Sequence, residues 1–374
     1  VTPRGYYRQF EELSNEEISA DLRKVSDERR RLALARVDPI DLSVSTWHQA
    51  PHPDVVAAIT YAARGGINRD PDPSALELRR ELGHRHAVGA DRIAVANGAA
   101  ELLRAAVAGL LRPGDELLTP WPSYPVAPLL ARTLGATPVP VPGLDAGALA
   151  AAVTERTRLL VVTTPNDPTG EHLEADDLGR LVAGLPDRVT VVVDAALADY
   201  LDDDAQNAIT ALVDEHPQLV VLRTFSKGYG LAGLRCGYAI GGPGSEDLLA
   251  KLAPSLGVSG LTQAGAREAL RKCGPLVNAR RAAVANERAR LLAALRELPL
   301  DVSDSAANVL WLHAPSLRDG ELVAGLAARK VLTFDGAALG EPAHVRATIR
   351  DESGGQRLLR ALHGVLGITN GDGA

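Results

Sequence analysis

The 374-residue chain contains no methionine, two cysteines, and only 3 Phe, 3 Trp and 7 Tyr. Cys236 and Cys273 are too few for a disulfide framework or a zinc cluster, and they read as buried free thiols in a reducing compartment. No uninterrupted apolar run approaches the roughly 18 residues of a membrane span. Val1 to Gln9 is polar and aromatic and lacks the apolar core of a signal peptide, so the chain reads as cytoplasmic with no membrane partner. No block of like charges is long enough to be a tail. The net charge of -7 argues against a nucleic-acid partner, whose phosphate backbone asks for a net basic face. What remains is a globular composition, 46% hydrophobic and 23% charged, over a length that buries a sizeable core in one large or two medium domains.

No repeat and no low-complexity segment interrupts the chain. Ser14 followed by Glu17 is a capping box that opens a charged helix through about Arg36. Asp41 to Pro53 has no helical period and two prolines, and reads as a loop. The pattern then alternates. Helices are expected over Pro73–Ala87, Ala99–Leu111, Val126–Leu134 and Ala175–Gly184. Strands are expected over Arg92–Ala96, Glu116–Thr119, Thr137–Val141, Leu159–Thr163, Val189–Asp194 and Leu219–Leu222. Short apolar runs separated by helices mean a mostly parallel sheet covered on both faces, with its site at the C-terminal strand ends. After about Thr262 the texture changes to one long helix (Gln263–Leu298), then strand (Ala307–His313), helix (Gly320–Lys330), strand (His344–Ile349) and closing helix (Gly354–Val365). The expected organisation is an arm and site-mouth loop at 1–50, a large α/β domain at 51–262 and a smaller α+β domain at 263–374.

The strongest chemical signal is Thr224 to Tyr238, TFSKGYGLAGLRCGY, which follows an apolar strand and is rich in glycine. Lys227 sits beside the hydroxyls of Thr224 and Ser226, with Arg235 eight residues on. A lysine in an apolar, glycine-flanked setting loses its proton readily and attacks carbonyls. Hydroxyls and an arginine nearby suit a phosphate.

This segment resembles the cofactor-lysine segment of the fold-type I, pyridoxal-phosphate-dependent aminotransferases, and most of all the histidinol-phosphate aminotransferase and threonine-phosphate decarboxylase group. The resemblance runs from about 41 to 365 with its motifs in family order. It implies a large α/β domain that holds pyridoxal 5'-phosphate, a smaller domain that closes on an amino-acid substrate, and a homodimer with shared active sites. Lys227 is implied as the Schiff-base lysine and the acid/base.

The resemblance implies further roles, position by position. In Asn97-Gly98-Ala99-Ala100-Glu101 a strand gives way to a helix, and the amides of Ala99 and Ala100 after Gly98 would cap the cofactor phosphate. In Pro120-Trp121-Pro122-Ser123-Tyr124, Tyr124 would stack on the pyridine ring. In VVVDAALADY, Asp194 would pair with the protonated ring nitrogen, 33 residues before Lys227. The step of 33 and the step of eight from Lys227 to Arg235 both suit the family. In HVRATI, Arg346 would clamp the substrate carboxylate. Asn308 in SAANVL matches the family's characteristic Asn, and Trp47 and His48 in STWHQA would line the pocket mouth.

Several positions depart from the family pattern. TPNDPTG (Thr164 to Gly170) places Asp167 where the family has an Asn that donates to the cofactor's phenolic oxygen. An ionised Asp cannot donate, so Asp167 is expected to be protonated or turned away. The family's Tyr that binds the same oxygen is Leu197 here, so either an unusual Schiff-base pKa or a substitute donor is expected. INRDPDP puts Asp70 where a Tyr usually reaches the neighbouring subunit's phosphate, which implies a rearranged dimer site or a substitution by Arg69. VLTFDG puts Phe334 in place of a second basic residue, which disfavours histidinol phosphate.

The first functional expectation is an aminotransferase. The alternative is a decarboxylase, a β-eliminating C–S lyase or an oxidative enzyme of specialised metabolism on the same cofactor. A DNA-reading sensor lacks its basic helix-turn-helix extension. A dinucleotide oxidoreductase lacks its Gly-x-Gly-x-x-Gly, and no metal site is expected.

Overall fold

The computed structural model describes residues 38–368, together with Lys24 and Glu28. The helix expected from Ser14 to Arg36 therefore lies outside the described residues, apart from those two.

Thirteen strands are described: β1 (Ile40–Asp41), β2 (Ile93–Ala96), β3 (Glu116–Trp121), β4 (Thr137–Pro142), β5 (Thr157–Thr163), β6 (Thr190–Asp194), β7 (Leu219–Thr224), β8 (Gly237–Gly241), β9 (Asp301–Val302), β10 (Val309–His313), β11 (Val331–Leu332), β12 (Phe334–Asp335) and β13 (His344–Thr348). Seven of them form the large sheet in the order β2-β8-β7-β6-β5-β3-β4. All neighbours run parallel except at β8, which is antiparallel to both β2 and β7. Val191, Val192 and Val193 in β6 are fully buried, as a central strand covered on both faces must be. Helix Ala99–Leu110 turns Ala99, Leu102, Leu103, Ala106 and Val107 onto the sheet, a stripe at helical spacing. The architecture is the α/β arrangement expected.

A four-stranded antiparallel sheet, β12-β13-β10-β9, supports the second core, which includes Val284, Leu291, Val309, Val345 and Leu358. That core also takes in Ile40 and Leu42 from the beginning of the described chain. β1 pairs with β11, and the amide of Thr348 donates to the Leu42 carbonyl at 2.9 Å. Residues 43–46 therefore run from the smaller core to the C-terminal ends of β5 and β7 in the large sheet.

Among the elements the structure adds to those expected are β1, the helix Pro53–Gly66 and β8. It also breaks the long helix after Thr262 into Gly260–Lys272 and Gly274–Arg296. The break falls before Pro275, which has no N–H to give and is tolerated only in a first helical turn. Among the described residues, no helix is long and apolar enough to cross a membrane.

Candidate active site

The pocket opens at the C-terminal ends of β5, β6 and β7, where Thr163, Asp194 and Thr224 end their strands. Lys227, Ser226, Tyr124, Asp167, Ala99, Ala100 and Arg235 line it, together with Thr46, Ala196, Leu197 and Ala232. Nine residues expected from the sequence to bind the cofactor thus gather in one place, with the tenth, Gly98, immediately before Ala99 at the helix start.

One end of the pocket is built for an anion. Gly98 has φ 95° and no side chain caps the helix it opens, so the first amides of helix Ala99–Leu110 face the pocket without intrahelical acceptors. A Cβ on Gly98 would lie 2.5 Å from Arg235 Nη2, and one on Gly237 would lie 2.4 Å from the Ala99 nitrogen. Gly98 demands glycine for its positive φ, and Gly237 because the backbone of the helix end approaches so closely. Arg235 itself adopts φ 55°, a left-handed conformation that costs a non-glycine residue about 1 kcal/mol or more. Its guanidinium donates to the carbonyls of Ala232 (3.0 Å) and Asn97 (3.5 Å). Behind it Thr224 Oγ1 donates to Ser226 Oγ at 3.0 Å.

At the centre, Asp194 is 3% exposed, and its side chain accepts one bond, from the Ala196 amide at 3.1 Å. Burial pushes its carboxyl up to about 6, against which the Ala196 bond and the Lys227 charge act only partly. Burial also lowers Lys227 from its ordinary value, with Asp167 pulling it back up and Arg346 pushing it down. Burial raises the Tyr124 phenol, and the charges of Asp194 and Asp167 add to it.

The turn Thr164–Gly170 is locked by Asn166. Its amide donates to the Pro122 carbonyl (2.9 Å) and to Thr169 Oγ1 (2.9 Å), and its oxygen accepts from Ser123 (2.8 Å). This presents Asp167 to the second core. Asp167 Oδ1 accepts from Arg346 Nη1 at 2.5 Å, and Oδ2 accepts from Ser45 Oγ at 3.2 Å. Burial alone would raise Asp167, but Arg346 and Lys227 together hold it below the usual carboxylate range. Asp167 is therefore ionised and turned to Arg346, which resolves the two expectations for it. Arg346 also donates to the Ser43 carbonyl, and its guanidinium lies over the Phe334 ring at 4.7 Å.

The mouth loop contributes different residues from those expected. Trp47 packs its ring under the Arg280 guanidinium at 4.9 Å, and His48 Nε2 faces Asp351 at 3.2 Å; neither lines the pocket. Thr46 does the lining instead, and Ser45 meets the site through its hydroxyl, to which Lys227 Nζ donates at 2.5 Å. Residues 42–50 are neither helix nor strand, so no periodicity in the sequence marked Ser45 or Thr46. Asn308 is 1% exposed and donates to the Ser45 carbonyl at 3.3 Å, so it holds the loop from behind. Leu197 is buried against the pocket, with no polar group to offer.

These residues fit pyridoxal 5'-phosphate. The glycine-lined helix start and Arg235 suit a phosphate, the under-partnered Asp194 suits a protonated ring nitrogen, and Lys227 suits an aldehyde. Among the described residues, no group of His, Cys, Asp and Glu is arranged to hold a metal ion.

Comparison with known proteins agrees. The family model described as "Aminotransferase class I and II" matches residues 37–362. An aromatic amino acid aminotransferase of Mycobacteroides abscessus is 42% identical over 277 residues, which cover 73% of this chain and 79% of that protein. Its namesake from Mycobacterium marinum is 37% identical over 335 residues, covering 87% and 90%. Among solved structures, the histidinol-phosphate aminotransferase of Sinorhizobium meliloti in complex with pyridoxal-5'-phosphate superposes with a TM-score of 0.78 at 24% identity, covering 91% of this chain and 94% of that one. The Thermus thermophilus aspartate aminotransferase with maleate gives 0.78 at 22% identity, covering 91% and 96%. At those identities the structures speak for the fold alone.

Proposed function

The chain belongs to the class I and II aminotransferases and is a fold-type I, pyridoxal-phosphate-dependent aminotransferase, and on that premise we propose how its own residues divide the work. The cofactor, when bound, supplies an electron sink for the charge left when a bond to the amine-bearing carbon breaks. Arg235 and the amides of Ala99 and Ala100 would hold its phosphate. Asp194 would pair with its protonated ring nitrogen, and Tyr124 would lie beside the ring. Lys227 would anchor it through its amine and would serve as the acid/base at the amine-bearing carbon. Burial helps it, because a lysine lowered from its ordinary value is a better base near neutrality. Amino acids and their keto acids are the partners the family suggests, and the names of the nearer relatives make aromatic side chains the first to try.

The observation that carries this reading is the convergence of Lys227 and Arg235, of Asp194, and of the helix start at Ala99 on one pocket from three segments of the chain. The test is borohydride reduction of the cofactor-loaded protein followed by peptide mass spectrometry. The mass of the reduced cofactor should sit on Lys227, and Lys227→Ala should lose it. Amino-group transfer should stop after one turnover without a keto-acid acceptor. Continuous release of CO2 or pyruvate without an acceptor would favour the decarboxylase or lyase reading instead.

We also propose a homodimer. Tyr61, Ile67 and Leu256 are 81%, 74% and 87% exposed, on neighbouring elements. Helix Pro53–Gly66 packs on helix Gly260–Lys272, and Gly257 touches Pro73. Sedimentation at micromolar concentration should give twice the chain mass.

A further inference from the structure

The pocket already holds a carboxylate on a guanidinium. Four charged groups bear on Lys227: Asp167, Arg346, Asp194 and Arg235. Arg235 stands at the helix start, where the reading above places a phosphate, and Asp194 awaits a ring nitrogen. Arg346 is then the one cation of the four left for an acid group of the substrate. Asp167 occupies it, with Oδ1 2.5 Å from Nη1. The rest of that guanidinium is covered from solvent. Ser43 takes one amino group, Phe334 covers a face, and Nε is buried without a partner. Through Ser45, the Asp167 carboxylate lies two hydrogen bonds from Lys227 Nζ.

A substrate carboxylate arriving here would set two anions against one guanidinium in a buried pocket. The groups that face Asp167 are Arg346 from β13, Ser45 from the mouth loop, Lys227 after β7, Asp194 at the end of β6 and Tyr124 after β3. Among them no spare cation remains for a second anion once the cofactor groups are paired. Two carboxylates that share one site do not both stay ionised; one takes a proton.

Resting on the proposed role of Lys227, we propose that Asp167 is the specificity-determining residue of this site. Amino compounds with no carboxylate on the amine-bearing carbon, primary amines and amino alcohols, bind beside an ionised Asp167. An amino acid or keto acid binds only together with one proton, which Asp167 takes up as the incoming carboxylate replaces it on Arg346. No bond other than that O–H is made or broken in this exchange.

The experiment uses cofactor-loaded wild type and Asp167→Asn, titrated with matched pairs such as phenylalanine and its alcohol, phenylalaninol, and likewise for alanine, leucine and arginine. Dissociation constants are read from the cofactor's absorbance between about pH 6 and about pH 9, a span that lies above the ordinary carboxylate range. Within a pair the side chain is shared and the amine titrates similarly, so the ratio of acid to alcohol isolates the carboxylate. In wild type this ratio should rise about tenfold per pH unit, one proton's worth of linkage. In Asp167→Asn it should be flat with pH and at least about tenfold lower at the alkaline end. A flat ratio in wild type overturns the proposal whether or not the variant folds, and so does an unchanged ratio in the variant or the failure of every pair to shift the absorbance. Reduction on the same samples separates the two readings. Cofactor fixed to Lys227 with a flat ratio refutes this proposal alone, whereas cofactor that fails to fix there refutes the parent reading.

Discussion

Asp194 offers the sharpest test of the site without any substrate. In the cofactor-free protein its carboxyl is buried, its side chain accepts a single backbone bond, and it is raised from 3.8 to about 6. A carboxyl raised on folding is neutral in the folded state at pH values where the unfolded chain has already lost the proton. Below about pH 4 both states hold the proton, and Asp194 makes no pH-dependent contribution. Between about 4 and about 6 the unfolded state binds fewer protons, so stability falls as pH rises. Above about 6 the loss is complete, and a shift of roughly two units is worth about 3 kcal/mol. Asp194→Asn keeps the shape and removes the titration. The cofactor-free variant should therefore be more stable than wild type at about pH 7.5, by up to about 3 kcal/mol or a rise of roughly 5 °C in Tm. At about pH 4.5 most of that advantage should vanish. Differential scanning fluorimetry or urea titration at the two pH values measures it. Added cofactor should reverse the order, because a protonated ring nitrogen pairs with Asp194 and not with Asn. Equal stabilities at about pH 7.5, or an advantage of the same size at both pH values, would refute the reasoning.

Other consequences follow from the same geometry. Gly237→Ala pushes a methyl to 2.4 Å from the Ala99 nitrogen; it should weaken cofactor affinity at least about tenfold by equilibrium dialysis. Arg235→Ala should lower cofactor affinity by a similar factor and leave the cofactor-free protein's stability within about 0.5 kcal/mol, because the arginine is exposed and bonds only to backbone carbonyls. Behind the Lys227 loop, Arg223 (4% exposed) is bonded to Asp199 at 3.0 Å and to Gln206 at 2.7 Å, and Gly228 packs on Asp199. Arg223→Ala leaves that carboxylate buried and unpaired and should cost about 3–5 kcal/mol in urea unfolding. Finally, the Asp167 charge raises the proton affinity at Lys227 Nζ. The midpoint of the holoenzyme's visible-absorbance pH titration should therefore fall in Asp167→Asn, and an unmoved midpoint would count against that coupling.

The strands and the chemistry were legible in the sequence for the same reason. Buried parallel strands are written as apolar runs, and Val191–Asp194 and Leu219–Thr224 end in the residues that face the pocket. Elements that lean on distant partners were less visible. β1 is two residues long and exists because Val331–Leu332 lies alongside it. β8 hides in glycine-rich sequence between two strands that it joins antiparallel. The helix after Thr262 looked continuous because alanine, leucine and arginine favour helix on both sides of Pro275. In the mouth loop, the aromatic Trp47 and His48 drew attention away from Ser45, whose importance comes from Lys227 and Asp167, far away in the chain.

The family and the cofactor class were written in the chain, because they rest on residue types at short, local spacings, and the proposed lysine lies in the same motif. The departure of Asp167 from the family pattern was written there too. What that departure does comes from the folded arrangement. Asp167 and Arg346 are 179 positions apart, and their pairing depends on a turn locked by Asn166 meeting a strand of the other core. Whether a buried carboxylate is neutral or charged is set by the nearest cation in space, and no local pattern in the chain records that distance.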